Sequence, residues 1–200
     1  MNGSALEGHA TRRLSNRLIA RLGSRDARAV KPAEYVALLD VLEEVFLPCA
    51  VPLGFAFLPA NVVPLGDCTV QSVVCDAGCR ARRARIRLHP VIHGGTCGEL
   101  PARFRVLNAA SVDRLGTLLH EICHAFLDLY ACSKCSRAEV SQFRGHGFAW
   151  QRVAYWVQAY AREKLDLPLE LGRFDSIAVH WGDMEILPGM EEMMRWGLDE

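Results

Sequence analysis

Apolar positions recur with a helical period over residues 111–130. At about 100° per residue, Leu115, Leu118, Leu119, Ile122, Phe126 and Leu129 gather on one side, while His120 and His124 share the other with Asp113 and Gly116. No proline interrupts the run, and Ser111 or Asp113 is a candidate N-cap. A second helical pattern, in Phe148, Val153, Ala154, Val157, Tyr160 and Ala161, ends before Leu167-Pro168. Upstream, Lys31-Pro32 opens a third, with proline accommodated in the first turn and Val36, Leu39, Leu42, Val45 and Phe46 as a core-facing stripe. Between these helices the period changes to two. Pro48, Pro52, Pro59 and Pro64 leave room for one short strand at 54–58 and then a loop to Asp67. Residues 69–89 read as an antiparallel meander: 69–74 is β-branched and apolar, the turn falls near Asp76-Ala77-Gly78, and Ala84, Ile86 and Leu88 alternate with Arg83, Arg85 and Arg87. The class this predicts is α+β, a small antiparallel sheet packed with helices.

Composition narrows the picture. Two hundred residues, half of them hydrophobic, suit one domain with tails. No run approaches the length of a membrane helix, so no membrane partner is expected. The formal charge is zero but unevenly placed: residues 1–120 carry 15 Lys+Arg against 10 Asp+Glu, and residues 121–200 carry 8 against 13. Six arginines lie within residues 1–30, with Leu14, Leu18, Ile19 and Leu22 at helical spacing and no uninterrupted apolar core of a secretory signal. That stretch reads as a solvated basic leader, a nucleic-acid-contacting arm, or a mitochondrial targeting helix that Glu7 and Asp26 fit poorly. The expected setting is intracellular, nuclear or cytoplasmic, and not secreted.

The chemistry concentrates in His120-Glu121-Ile122-Cys123-His124. On a helix, H-E-x-x-H puts two imidazoles one turn apart with a glutamate beside them, the layout of a zinc hydrolase site; the plain alternative is two surface histidines on an amphipathic helix. A metzincin needs Gly and His where Leu127 and Tyr130 stand, so that class is excluded. Glu139 and Glu163 are formally available as a third ligand. His146 is the better one, because it lies between Gly145 and Gly147, where the backbone can approach a metal closely and turn into the following helix. His89, His93 and His180 are left as structural or exposed.

These motifs carry a resemblance. The run 120–124, followed after a loop by Gly145-His146-Gly147 and an aromatic-containing helix, and preceded by the alternating strand Ala84-Arg85-Ile86-Arg87-Leu88-His89-Pro90, resembles the SprT-like metalloprotease domain of Spartan-type DNA–protein crosslink proteases. The resemblance covers about residues 32–165. It implies a zincin-like fold, a Zn2+ cofactor held by His120, His124 and His146, a protein substrate, and a role in DNA repair in the nucleus. The division that follows is a basic N-terminal arm over 1–31, the metalloprotease domain over 32–166, and an acidic tail over 167–200 rich in Met and Trp.

In that chemistry three neutral imidazoles leave a zinc position open to water, and Glu121 acts as general base. Arg144, Tyr130 and His180 are candidates to stabilise the tetrahedral intermediate. The alternatives are a zinc-stabilised DNA- or protein-binding module without turnover, and a metallopeptidase unconnected with nucleic acid.

Two further sets remain open. Arg83, Arg85 and Arg87 form a row that either follows a phosphate backbone or protects a solvated strand by charge. Of the eight cysteines, Cys75 and Cys79 with Cys132 and Cys135 have spacings that could combine in a four-thiolate structural zinc site, whereas Cys123 is expected simply to pack.

Overall fold

Along the second half of the central strand every second residue, Ala84, Ile86 and Leu88, points into the core, and this alternation organises the sheet. The computed structural model describes residues 22, 26–46, 53–74, 80–91, 109–131, 145–164, 167–181 and 189–195. Within it, strands β1 (Leu53–Phe57), β2 (Gly66–Val74) and β3 (Arg80–Leu88) form one sheet in the order β1-β3-β2. Ala84, Ile86 and Leu88 are buried, whereas Arg83 and Arg85 face outward and are exposed.

The hairpin of β2 and β3 is antiparallel as expected, with Cys68 opposite Ile86 and Asp67 opposite Arg87. The sheet as a whole is not antiparallel. β1 runs parallel to β3, Phe55 beside Ile86, so the sheet is mixed. The reason lies in residues 58–65, which step across the end of β3 rather than forming a tight turn: the Leu58 N–H donates to Leu88 O (2.9 Å), and the His89 N–H donates to Leu65 O (2.8 Å). β1 and β2 therefore flank β3 from opposite sides. β2 also starts three residues before the expected position.

Helices cover the inner face. α1 (Pro32–Phe46) packs against β1, and α2 (Ala109–Tyr130) lies across β2 and β3. α3 (Phe148–Lys164) packs on α2, and α4 (Arg173–Trp181) packs on α3, followed by the short α5 (Met190–Arg195). The apolar face of α2 is as its period predicts, with Leu115, Leu118, Leu119 and Ile122 buried. Its start is earlier, so Ser111 and Asp113 lie within the helix and neither caps it; Ser111 is fully buried. On α1 the buried stripe is Tyr35, Leu38, Leu39 and Leu42, with Val36 only partly covered. Tyr35 leads because its ring stacks on Phe55 at 4.2 Å while its hydroxyl donates to Ala27 O at 3.1 Å.

Packing continues across both expected boundaries of the 32–166 domain. Leu22, Ala27 and Val30 on one side, and Leu167, Leu169 and Leu171 on the other, belong to the same buried cluster as the helices. Arg114, inside α2, donates to Leu22 O and ties the N-terminal segment to the helix. Among the described residues, no helix is long and apolar enough to cross a membrane.

Candidate metal centre

Helical spacing places His120 and His124 one turn apart on the face of α2 that the sheet does not cover, and the glycine-flanked turn before α3 brings His146 to them. Gly145 has φ +90°, a conformation that favours glycine. The three Nε2 atoms converge: His120 to His146 is 2.9 Å, and His124 lies 3.2 Å from each. Among the described residues these three histidines form the one group of metal-ligating side chains close enough to share an ion.

The set fits zinc on two grounds. Tetrahedral zinc with nitrogen at ~2.0–2.1 Å requires ligand nitrogens about 3.3 Å apart, close to what the three imidazoles show. The second ground is tautomeric. His120 Nδ1 lies 2.7 Å from the carbonyl oxygen of Leu171, which can only accept, so Nδ1 carries the hydrogen and Nε2 presents a lone pair to the cluster.

Burial favours the neutral form of His120 and His124, as metal binding requires. His124 is pushed down to about 2, first by loss of solvation and then by the neighbouring His120 and His146. His120 is lowered by burial, partly opposed by its bond to Leu171.

Trp150 forms the wall behind the cluster. It is fully buried, and its ring lies 4.6 Å from that of His120, 4.7 Å from His146 and 5.4 Å from His124. Trp150 was not among the residues singled out from the sequence, although its place four residues after His146 was a legible signal. Leu171 was also missed, and no pattern of residue types marks a backbone carbonyl. A further contact brings its segment close to the site: at Gly116, one turn before His120, a Cβ would come within 2.4 Å of Glu170 O. A bare backbone at 116 lets residues 170–171 lie against α2.

Glu121 follows His120 but points toward the sheet. Only 6% exposed, it packs at the start of β2, where a Cβ on Gly66 would meet its Cγ and Oε1 at 3.1 Å. Burial, reinforced by the charge of Asp67, raises its carboxyl to about 8. The same pocket holds Cys68, whose thiol is pushed up to about 12 by burial and then by Glu121. Cys123 is fully buried.

The remaining candidates divide. Arg83 and Arg85 are exposed on the outer sheet face, but Arg87 is engaged by both carboxylate oxygens of Asp67, at 2.7 Å from Nε to Oδ1 and closely from Nη2 to Oδ2. His89 is buried with Nδ1 2.7 Å from Val91 O, a structural role. Glu163 is exposed on α3 and outside the histidine group. Tyr130 is half exposed at the end of α2, its ring 5.4 Å from Phe126. Cys75, Cys79, Cys132, Cys135, Glu139, Arg144 and His93 lie outside the described residues, as does the side chain of His180.

Comparison with protein-family profiles, with characterised proteins and with solved structures finds no match to this chain.

Proposed function

We propose that this chain is a zinc-dependent endopeptidase of the SprT-like type, hydrolysing peptide bonds with an activated water. One observation carries the reading: three imidazole Nε2 atoms meet within 3.2 Å of one another, and the residue that follows the first of them in the chain is a buried glutamate. Zinc held by His120, His124 and His146 would supply Lewis acidity, lowering the pKa of a water and polarising a scissile carbonyl.

The chain's own groups supply the rest. Leu171 O holds His120 in the tautomer that can ligate, and Trp150 keeps solvent from the back of the three rings. Burial raises the proton affinity of the Glu121 carboxyl to about 8 in the metal-free chain; a bound cation nearby would favour its ionised form, the form that takes a proton from water and returns it to the leaving amine. DNA-bound or crosslinked protein is the substrate class that the family resemblance suggests, and exposed Arg83 and Arg85 are compatible with a nucleic acid nearby.

The test is proteolysis of a DNA-binding protein by the zinc-loaded chain, with and without single-stranded DNA, beside two variants. Glu121→Gln is expected to retain zinc and lose at least about a hundredfold in turnover; His124→Ala is expected to lose both zinc and cleavage. Full proteolysis by Glu121→Gln overturns the enzymatic assignment. Cleavage indifferent to DNA keeps the peptidase and removes the nucleic-acid role. Zinc bound without any cleavage favours the binding module.

A further inference from the structure

The histidine cluster is anchored at His120 by a backbone atom, and a peptide carbonyl can orient a ligand only if the peptide itself is fixed. Residues 167–171 form no helix or strand, so no regular ladder holds the Leu171 peptide. Leu169 and Leu171 anchor the segment in the core, and the Leu171 N–H itself is held by one side chain. Gln158, on α3 three turns beyond His146, is 9% exposed and uses both ends of its amide on this segment. Its Oε1 accepts from the Leu171 N–H at 3.3 Å, and its Nε2 donates to Glu170 Oε2 at 3.2 Å.

We propose that Gln158 is a positioning residue of the metal centre: it fixes the 170–171 backbone so that Leu171 O sets the orientation and tautomer of His120. This rests on the three-histidine site being a metal site. α3 then serves the cluster twice, with His146 and Trp150 at its beginning and, through the Leu171 peptide, with Gln158 further along. The opposite wall is α2 itself, which approaches the same backbone at Gly116. The contact of Arg162 with Glu170, at 3.5 Å between two largely exposed side chains, adds little to this clamp.

The amide's polarity supplies a specific test. Gln158→Glu keeps an acceptor for the Leu171 N–H but turns a carboxylate toward Glu170, whereas Gln158→Ala removes both bonds without adding charge. The double variant Q158E/E170Q exchanges donor and acceptor and restores the pair. Zinc affinity is measured on the full chain by competition with a chromophoric chelator, alongside the absorption bands of the cobalt-substituted protein and the melting of the metal-free form.

The expected result is a loss of about tenfold or more in zinc affinity for both single variants, the size typical when the outer partner of a metal-bound histidine is disturbed. Altered cobalt bands should accompany it, and affinity and bands should recover in Q158E/E170Q. Wild-type affinity and bands in folded Gln158→Ala overturn the proposal. So does a loss that the exchange fails to restore, since a general packing defect would not respond to amide polarity. If Gln158→Glu does not fold, Gln158→Ala decides alone. If the unaltered chain takes no zinc at His120, His124 and His146, the metal centre is refuted and the role of Gln158 with it.

Discussion

Glu121 and His124 carry opposite electrostatic burdens, and their signs set how the metal-free chain responds to pH. Glu121 has its carboxyl raised from 4.5 to about 8 in the folded protein. Between those values the native state binds more protons than the unfolded one, so its contribution to stability is complete below about pH 4.5 and is lost as pH rises toward 8. His124, lowered from 6.5 to about 2, behaves the other way: its contribution is complete above about pH 6.5 and is lost on acidification. His120 is lowered by burial as well, so on the acid side the histidine contributions outweigh that of Glu121. We therefore expect chemical denaturation of the metal-free protein to show greatest stability near pH 6.5, falling on acidification and falling again between about pH 6.5 and 8 by up to about 1.4 kcal/mol per pH unit. Glu121→Gln should flatten the alkaline limb and steepen the acid limb between about pH 4.5 and 6.5, and an alkaline limb unchanged in that variant would contradict the burial of this carboxyl. The three clustered histidines were legible at this scale because H-E-x-x-H and Gly-His-Gly are local patterns with a geometric meaning. The hydrogen-bond partner of His120 was not, because any residue at 171 would offer the same carbonyl.

Where two elements meet, the decisive residues are those that lack a side chain. α2 approaches β2 at Gly66, where a Cβ would lie 2.9 Å from Thr117 Cγ2 and 3.1 Å from Glu121 Oε1. Gly66→Ala is expected to destabilise the protein by about 1–3 kcal/mol through overpacking, read as a lowered Tm. If Glu121 is the general base, its displacement should lower kcat by about a hundredfold while zinc stays bound. Unchanged kcat in that variant would argue against a catalytic role for the carboxyl in this pocket. The helices themselves were readable from their period: α3 buries one face and exposes the other, and α2 separates an apolar face from the histidine face although it is buried or half-buried along nearly its whole length. The direction of β1 was not readable, since side-chain alternation is the same in parallel and antiparallel strands. What fixes it is the route of residues 58–65 past the end of β3, a matter of tertiary contact.

At the scale of the whole molecule, one face of the sheet carries helices and the other carries Arg83, Arg85 and the Asp67–Arg87 pair. Pairing removes one cation from service, which the sequence could not foretell because residues 67 and 87 become neighbours only through the strand register. If this face binds DNA, Arg83→Ala with Arg85→Ala should weaken binding across sequences and reduce the slope of log K against log salt by about 2. An unchanged slope would assign the two arginines to solubility and to guarding the sheet. The division of the chain expected at 31 and 166 follows the family resemblance, whereas the buried cluster is set by where apolar residues meet. Leu22 and Leu171 accordingly pack in one cluster with α2.

The parallel pairing of β1 with β3 also fixes an order of events during folding. Gly54 must meet Arg85, whereas β2 and β3 are neighbours in the chain and can pair over a shorter separation. The hairpin should form first, because closing the shorter loop loses less chain entropy. β1 would then dock on a ready-made edge, and during synthesis it would wait without a partner until residue 88 had emerged. In that interval the apolar side chains of Leu53, Phe55 and Phe57 would have only α1 to cover them, so chaperone demand or aggregation should be most sensitive to substitutions in this five-residue strand.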